Sequence, residues 1–110
     1  IDSIMKSVVN MMLQGDKEKR PSAFICGNDY IAIQVIQELK KLGLQVPENV
    51  GVIGNDNIYL AEVISPTLTT VDFSKEEYAR KLSEKLLQLM NGKIPEDEYL
   101  KVSIVVRESA

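Results

Sequence analysis

The chain has 110 residues, 45% of them hydrophobic and 26% charged, with a formal net charge of −3. That is ordinary globular composition with enough apolar material for one buried core, which excludes a disordered chain. The acidic balance excludes nucleic-acid contact by this segment itself, since phosphate binding needs clustered Lys and Arg, and a single Cys26 excludes an internal disulfide.

Ile1, Ile4, Met5, Val8, Val9, Met12 and Leu13 follow the i, i+3, i+4, i+7 spacing of an amphipathic helix, which Gly15 closes. The next stretch interleaves Lys17, Lys19 and Arg20 with Asp16 and Glu18, the pattern of a solvated turn. Ala23 to Cys26 is apolar at every position, as expected of a short strand covered on both faces. Cys26 inside it reads as a small buried hydrophobe in a reducing compartment, the cytoplasm.

From Asp29 the period becomes helical, with Ala32, Val35, Ile36 and Leu39 on one stripe and Gly43 positioned for a left-handed C-terminal cap. Val50 to Ile53 is a second doubly apolar strand. Two such strands joined by a helix favour a right-handed parallel crossover, so the fold class is α/β: a parallel-sheet sandwich with flanking helices. Leu68 to Phe73 reads as a further strand, and Ser74 with Glu77 as a capping box. The helix that follows carries Tyr78, Leu82, Leu86 and Leu89 on one face and stops at Asn91 and Gly92; a last strand is expected at 102–106.

Both buried strands end in the same triplet, Gly27-Asn28-Asp29 and Gly54-Asn55-Asp56. In open α/β sheets ligands collect at the carboxyl ends of the strands, so both triplets sit where a ligand would. For Asp29 the reading is a helix cap; for Asn28 and Asp56 capping and ligand contact serve the spacing equally. An amide beside a carboxylate suits a polyhydroxylated ligand. Tyr30 and Ile33 lie off the core stripe of their helix, a position open either to a partner surface or to ordinary exposure.

Catalysis finds no support. The chain has no His and only one Cys, so the usual metal sites and His-assisted nucleophiles are missing, and neither G-x-G-x-x-G nor a phosphate-binding loop occurs. No enzyme, metal or cofactor is expected. No apolar run is long enough to span a membrane, and the start does not resemble a signal peptide. The chain begins at Ile1, without Met, and enters a helix almost at once, so it is expected to be part of something longer.

The blocks PSAFICGNDYIAIQVIQELKKLGLQVPENVGVIGNDN, SPTLTTVDF and VVRES, in this order and spacing, resemble the lac repressor family of bacterial transcription regulators over Pro21 to Ser109. In that family an N-terminal helix-turn-helix reads operator DNA, and a two-lobed domain shaped like periplasmic sugar-binding proteins takes an effector between its lobes. The resemblance implies one lobe of a type I periplasmic-binding-protein-like fold. Residues 1–71 would lie mainly in the C-terminal lobe, 72–101 would cross to the N-terminal lobe, and 102–110 would return; the DNA-binding domain would lie outside these 110 residues and contact operator DNA from there.

It further implies that Asn28 and Asp56 contact the effector, a sugar or nucleoside. Phe73 stands where the family's hinge Gln faces the ligand, so apolar surface replaces a polar contact. Asn55 takes the place of a usual aromatic and Gln34 that of a usual glycine, departures that bear on the ligand rather than on the fold. A homodimer contact falls on the second helix and the loop after Asp56, on Tyr30, Ile33 and Tyr59, although Tyr59 could equally pack on the sheet. A periplasmic or extracellular sugar-binding protein of an uptake system is the competing reading.

Overall fold

The computed structural model describes residues 2–110, in the order α1 (Asp2–Leu13), β1 (Ala23–Ile25), α2 (Asp29–Lys41), β2 (Gly51–Asn55), α3 (Leu60–Val63), β3 (Thr69–Phe73), α4 (Lys75–Met90) and β4 (Val102–Val105). The strands form one sheet in chain order. β1, β2 and β3 run parallel, with Ile25 opposite Ile53 and Asn55 opposite Val71. β4 is antiparallel to β3, with Phe73 opposite Val102. The expected α/β class with flanking helices is present, and the sheet is parallel in all but its last strand.

α2 forms as its pattern dictates. Ala32, Val35, Ile36 and Leu39 are all buried, and burial of the three larger side chains is worth about 1.5–3 kcal/mol each. The helix ends in a Schellman motif: Gly43 takes φ 76°, Leu44 N–H donates to the Leu39 carbonyl at 3.0 Å and Gly43 N–H to that of Lys40 at 3.0 Å. From α1, Val9 and Leu13 join this core with Phe24, Cys26 and Val52. Met5 packs at its margin, but Met12 points to solvent, one turn position too far round the helix. Of the other positions expected on this stripe, Ile1 and the side chain of Ile4 lie outside the described residues, and Val8 is half-buried.

Two expectations need correction. β1 is not covered on both faces: Phe24 and Cys26 point into the core, whereas Ile25 between them is 83% exposed, because α1 and α2 lie on one side of the strand only. β2 does not stop at its triplet but runs through Gly54 and Asn55. The stripe of α4 is not buried within this chain; no residue of that helix is. α4 nevertheless has sound ends, with the Ser74 hydroxyl accepting from Glu77 N–H at 3.2 Å and Gly92 at φ 77° closing the other.

The tail after β4 returns between the amino ends of β2 and β3. Val52 N–H donates to the Ser109 carbonyl at 2.8 Å. The fully buried Ser109 hydroxyl donates to the Val52 carbonyl at 2.6 Å and accepts from Thr69 N–H at 2.8 Å.

Candidate functional site

Because Ile25 pairs with Ile53 in parallel register, Asn28 and Asp56 each stand three residues past a paired position (25 + 3 and 53 + 3). Both therefore leave the sheet at one edge. Asp56 N–H donates to the Val71 carbonyl at 2.9 Å, and Phe73 ends the same strand two residues later. The carboxyl ends of three adjacent strands thus bring Asn28, Asp56 and Phe73 to one border, each half-buried. The Asn55 side-chain amide donates to the Gly27 carbonyl at 3.4 Å, tying one triplet to the other.

Within the first triplet the cap falls one residue earlier than the expected Asp29. Asn28 is the N-cap of α2, its Oδ1 accepting from Ile31 N–H at 2.9 Å, which leaves its NH2 group as a donor without a partner among the described residues. Asp29 is no cap. It is fully buried, and its carboxylate accepts from the Thr70 hydroxyl at 2.6 Å and from Ile58 N–H at 2.8 Å. Gly54 makes room for it: a Cβ there would lie 2.1 Å from Asp29 Oδ1.

Asp56 and Asn57 both take positive φ, 108° and 51°, a region in which Asn and Asp are the most tolerated residues after Gly. The turn is fastened from several directions. Lys75, at the start of α4, donates to the carbonyls of Asp56 and Asn57 at 2.5 and 3.4 Å. Arg107 donates to Asn57 Oδ1 at 2.8 Å and to the Leu68 carbonyl at 2.9 Å. The Asp56 carboxylate itself takes no hydrogen bond among the described residues, so both its oxygens remain available as acceptors. Beside it, the Phe73 and Tyr78 rings meet edge to face at 5.7 Å, and the Lys75 ammonium lies 6.0 Å from the Phe73 ring centre.

Thr70, Lys75 and Arg107 were not singled out from sequence. Thr70 and Arg107 had a signal only as members of the SPTLTTVDF and VVRES blocks, and Lys75 had none; Thr70 and Lys75 act through partners 41 and 19 residues away.

The three positions expected at a dimer contact divide. Tyr30 and Tyr59 are 62% and 76% exposed, while Ile33 is half-buried against the core. The Asp29–Ile58 hydrogen bond ties the start of α2 to the loop that carries Tyr59. Burial pushes the Cys26 thiol up to about 11, which keeps it protonated and unreactive. Among the described residues no group of three His, Cys, Asp or Glu could hold a metal, and no helix is long and apolar enough to cross a membrane. A groove of about 490 Å³ runs between α4 and residues 95–100, lined by Tyr78, Lys81, Leu82 and Tyr99 among others.

The periplasmic binding protein-like domain family matches residues 3–110. The HTH-type transcriptional repressor PurR of Vibrio campbellii is 40% identical over 94 residues, which are 84% of this chain and 28% of that protein. The chain thus spans less than a third of the repressor's length. Among solved structures, a LacI family transcriptional regulator from Lactobacillus casei with bound glucose superposes with a TM-score of 0.78 at 25% identity, over 99% of this chain and 39% of that one. A LacI family transcriptional regulator from Arthrobacter sp. FB24 in complex with lactose gives 0.73 at 30% identity, over 98% and 39%. These relatives are regulators rather than enzymes, in agreement with the expectation of no catalytic role. The chain belongs to the periplasmic binding protein-like domain family, in the form that lac repressor-type transcription regulators carry.

Proposed function

We propose that this chain is the effector-binding and dimerisation portion of a cytoplasmic bacterial transcription regulator, in which a sugar or nucleoside controls operator binding allosterically. The observation that carries the reading is the pairing, at one sheet edge, of the Asn28 NH2 group with the Asp56 carboxylate, both without partners among the described residues. Vicinal hydroxyls satisfy both at once, donating to the carboxylate and accepting from the amide. Two structurally similar regulators hold glucose and lactose, which supports a polyhydroxylated ligand. Phe73 adds an aromatic face, suited to the apolar side of a sugar ring or to a base.

In this reading residues 1–71 belong mainly to one lobe, α4 and the segment to 101 belong with a second lobe, and β4 returns. The bare stripe of α4 supports that division. The ligand acts by linkage: it stabilises whichever lobe arrangement it fits better, and DNA affinity follows. The competing uptake-protein reading is the weaker, because the relatives matched are repressors and regulators.

Asp56→Asn keeps a residue that tolerates positive φ and removes the charge. In the intact protein it should weaken binding of glucose, lactose or adenosine, whichever the wild type takes, by about tenfold or more, as expected for lost charged hydrogen bonds. Operator affinity without ligand should stay within about twofold. Calorimetry with unchanged ligand affinity would remove Asp56 from the site. For the dimer, Tyr30→Glu should shift the protein toward monomer in sedimentation, and no shift would return that face of α2 to plain surface.

A further inference from the structure

We propose that Asp29 and Thr70 are positioning residues for the ligand edge: their buried pair holds the Asp56–Asn57 turn in its left-handed form and so sets where the Asp56 carboxylate points. This rests on the reading of Asp56 as an effector contact.

The two amides that follow Asp56 both end in this pair. Ile58 N–H donates to Asp29 Oδ2 at 2.8 Å, and Asn57 N–H to Thr70 Oγ1 at 3.3 Å; the Thr70 hydroxyl in turn donates to Asp29 Oδ1 at 2.6 Å. Asp29 and Thr70 are both fully buried. A carboxylate taken out of water needs such partners, and the first turn of α2 favours its charge.

An ordinary first-turn Asp would spend its oxygens on its own helix. Here Asn28 already caps α2, and the bonds of Asp29 go to β3 and to the turn. The strand even forgoes a side chain at Gly54 to admit the carboxylate. The pair thus links three elements, and the turn it controls is the one bearing the free carboxylate, at φ values that L-residues adopt only when held there.

The test uses the intact protein, with glucose, lactose and adenosine as calorimetric probes and amide hydrogen exchange at Asp56 as a second readout. Thr70→Val removes the hydroxyl at nearly constant shape. It should weaken the probe that the wild type binds about tenfold and speed Asp56 exchange by about the same factor. Thr70→Ser should restore both to within about twofold. In an Asp56→Asn background, Thr70→Val should cost no further affinity, because its effect runs through that carboxylate. Positioning is overturned by unchanged affinity and exchange in Thr70→Val, by Thr70→Ser as weak as Thr70→Val, or by additive losses in the double variant; the effector-site reading survives all three. If the wild type binds no probe, that reading fails instead, and the exchange arm alone decides the positioning.

Discussion

Gly54 shows how tightly the carboxyl edge of the sheet is built at the scale of single residues. A methyl group there meets Asp29 Oδ1 at 2.1 Å and Leu68 Cδ2 at 2.9 Å, and neither neighbour has free space behind it, since both residues are fully buried. Gly54→Ala should therefore destabilise the fold by about 2–3 kcal/mol, as overpacking of a closed site does. Urea denaturation reads this directly, and a loss below about 0.5 kcal/mol would mean that the carboxylate moves aside freely. The sequence could not reveal this contact. Asp29, directly before a helical stripe, reads as a helix start, and the chain offers no sign that it turns instead toward Thr70, forty-one residues later. Strand-end position made Asn28 and Asp56 candidates, and only a family resemblance favoured ligand contact over capping.

Among the elements, α2 and α4 have the same kind of stripe and opposite fates. Both were legible as helices, with both C-terminal glycines taking the left-handed caps their positions implied. Periodicity records that a face is apolar, however, and not what covers it. The same limit explains β1, where an all-apolar run was read as two-sided burial and Ile25 proves bare. The tail was harder still: its VVRES block gave no pattern beyond a short strand, yet Ser109 supplies a donor and an acceptor that join β2 to β3. Ser109→Ala leaves the Thr69 N–H and the Val52 carbonyl short of a partner in a buried place. A loss of about 1–3 kcal/mol is expected in denaturant unfolding, and a neutral result would show that water replaces the hydroxyl.

Over the whole molecule, the extents are 57 × 25 × 24 Å and the radius of gyration is 18.0 Å, against about 13 Å for a compact domain of this length. The excess lies in α4 and the segment after it, where Leu82, Leu86, Leu89, Ile94 and Tyr99 are exposed. A stripe of that kind on a free chain drives association. The 110-residue chain alone should therefore self-associate in sedimentation, and Leu82→Glu with Leu86→Glu should reduce this while shifting unfolding by no more than about 0.5 kcal/mol per site. Equal association in the double variant would assign the contact to another surface, with the face of Tyr30 and Tyr59 the next to test.

Lys75 gives the α4 geometry a mechanical meaning. It is the first residue of a helix of 16 residues, and its ammonium grips the two carbonyls of the turn that carries Asp56. At 1.5 Å per residue that helix is a stiff arm about 24 Å long with its fulcrum at the carboxyl edge of the sheet, so a tilt of about 5° there carries the far end about 2 Å. The helix is a lever whose short end is held by the turn that bears Asp56.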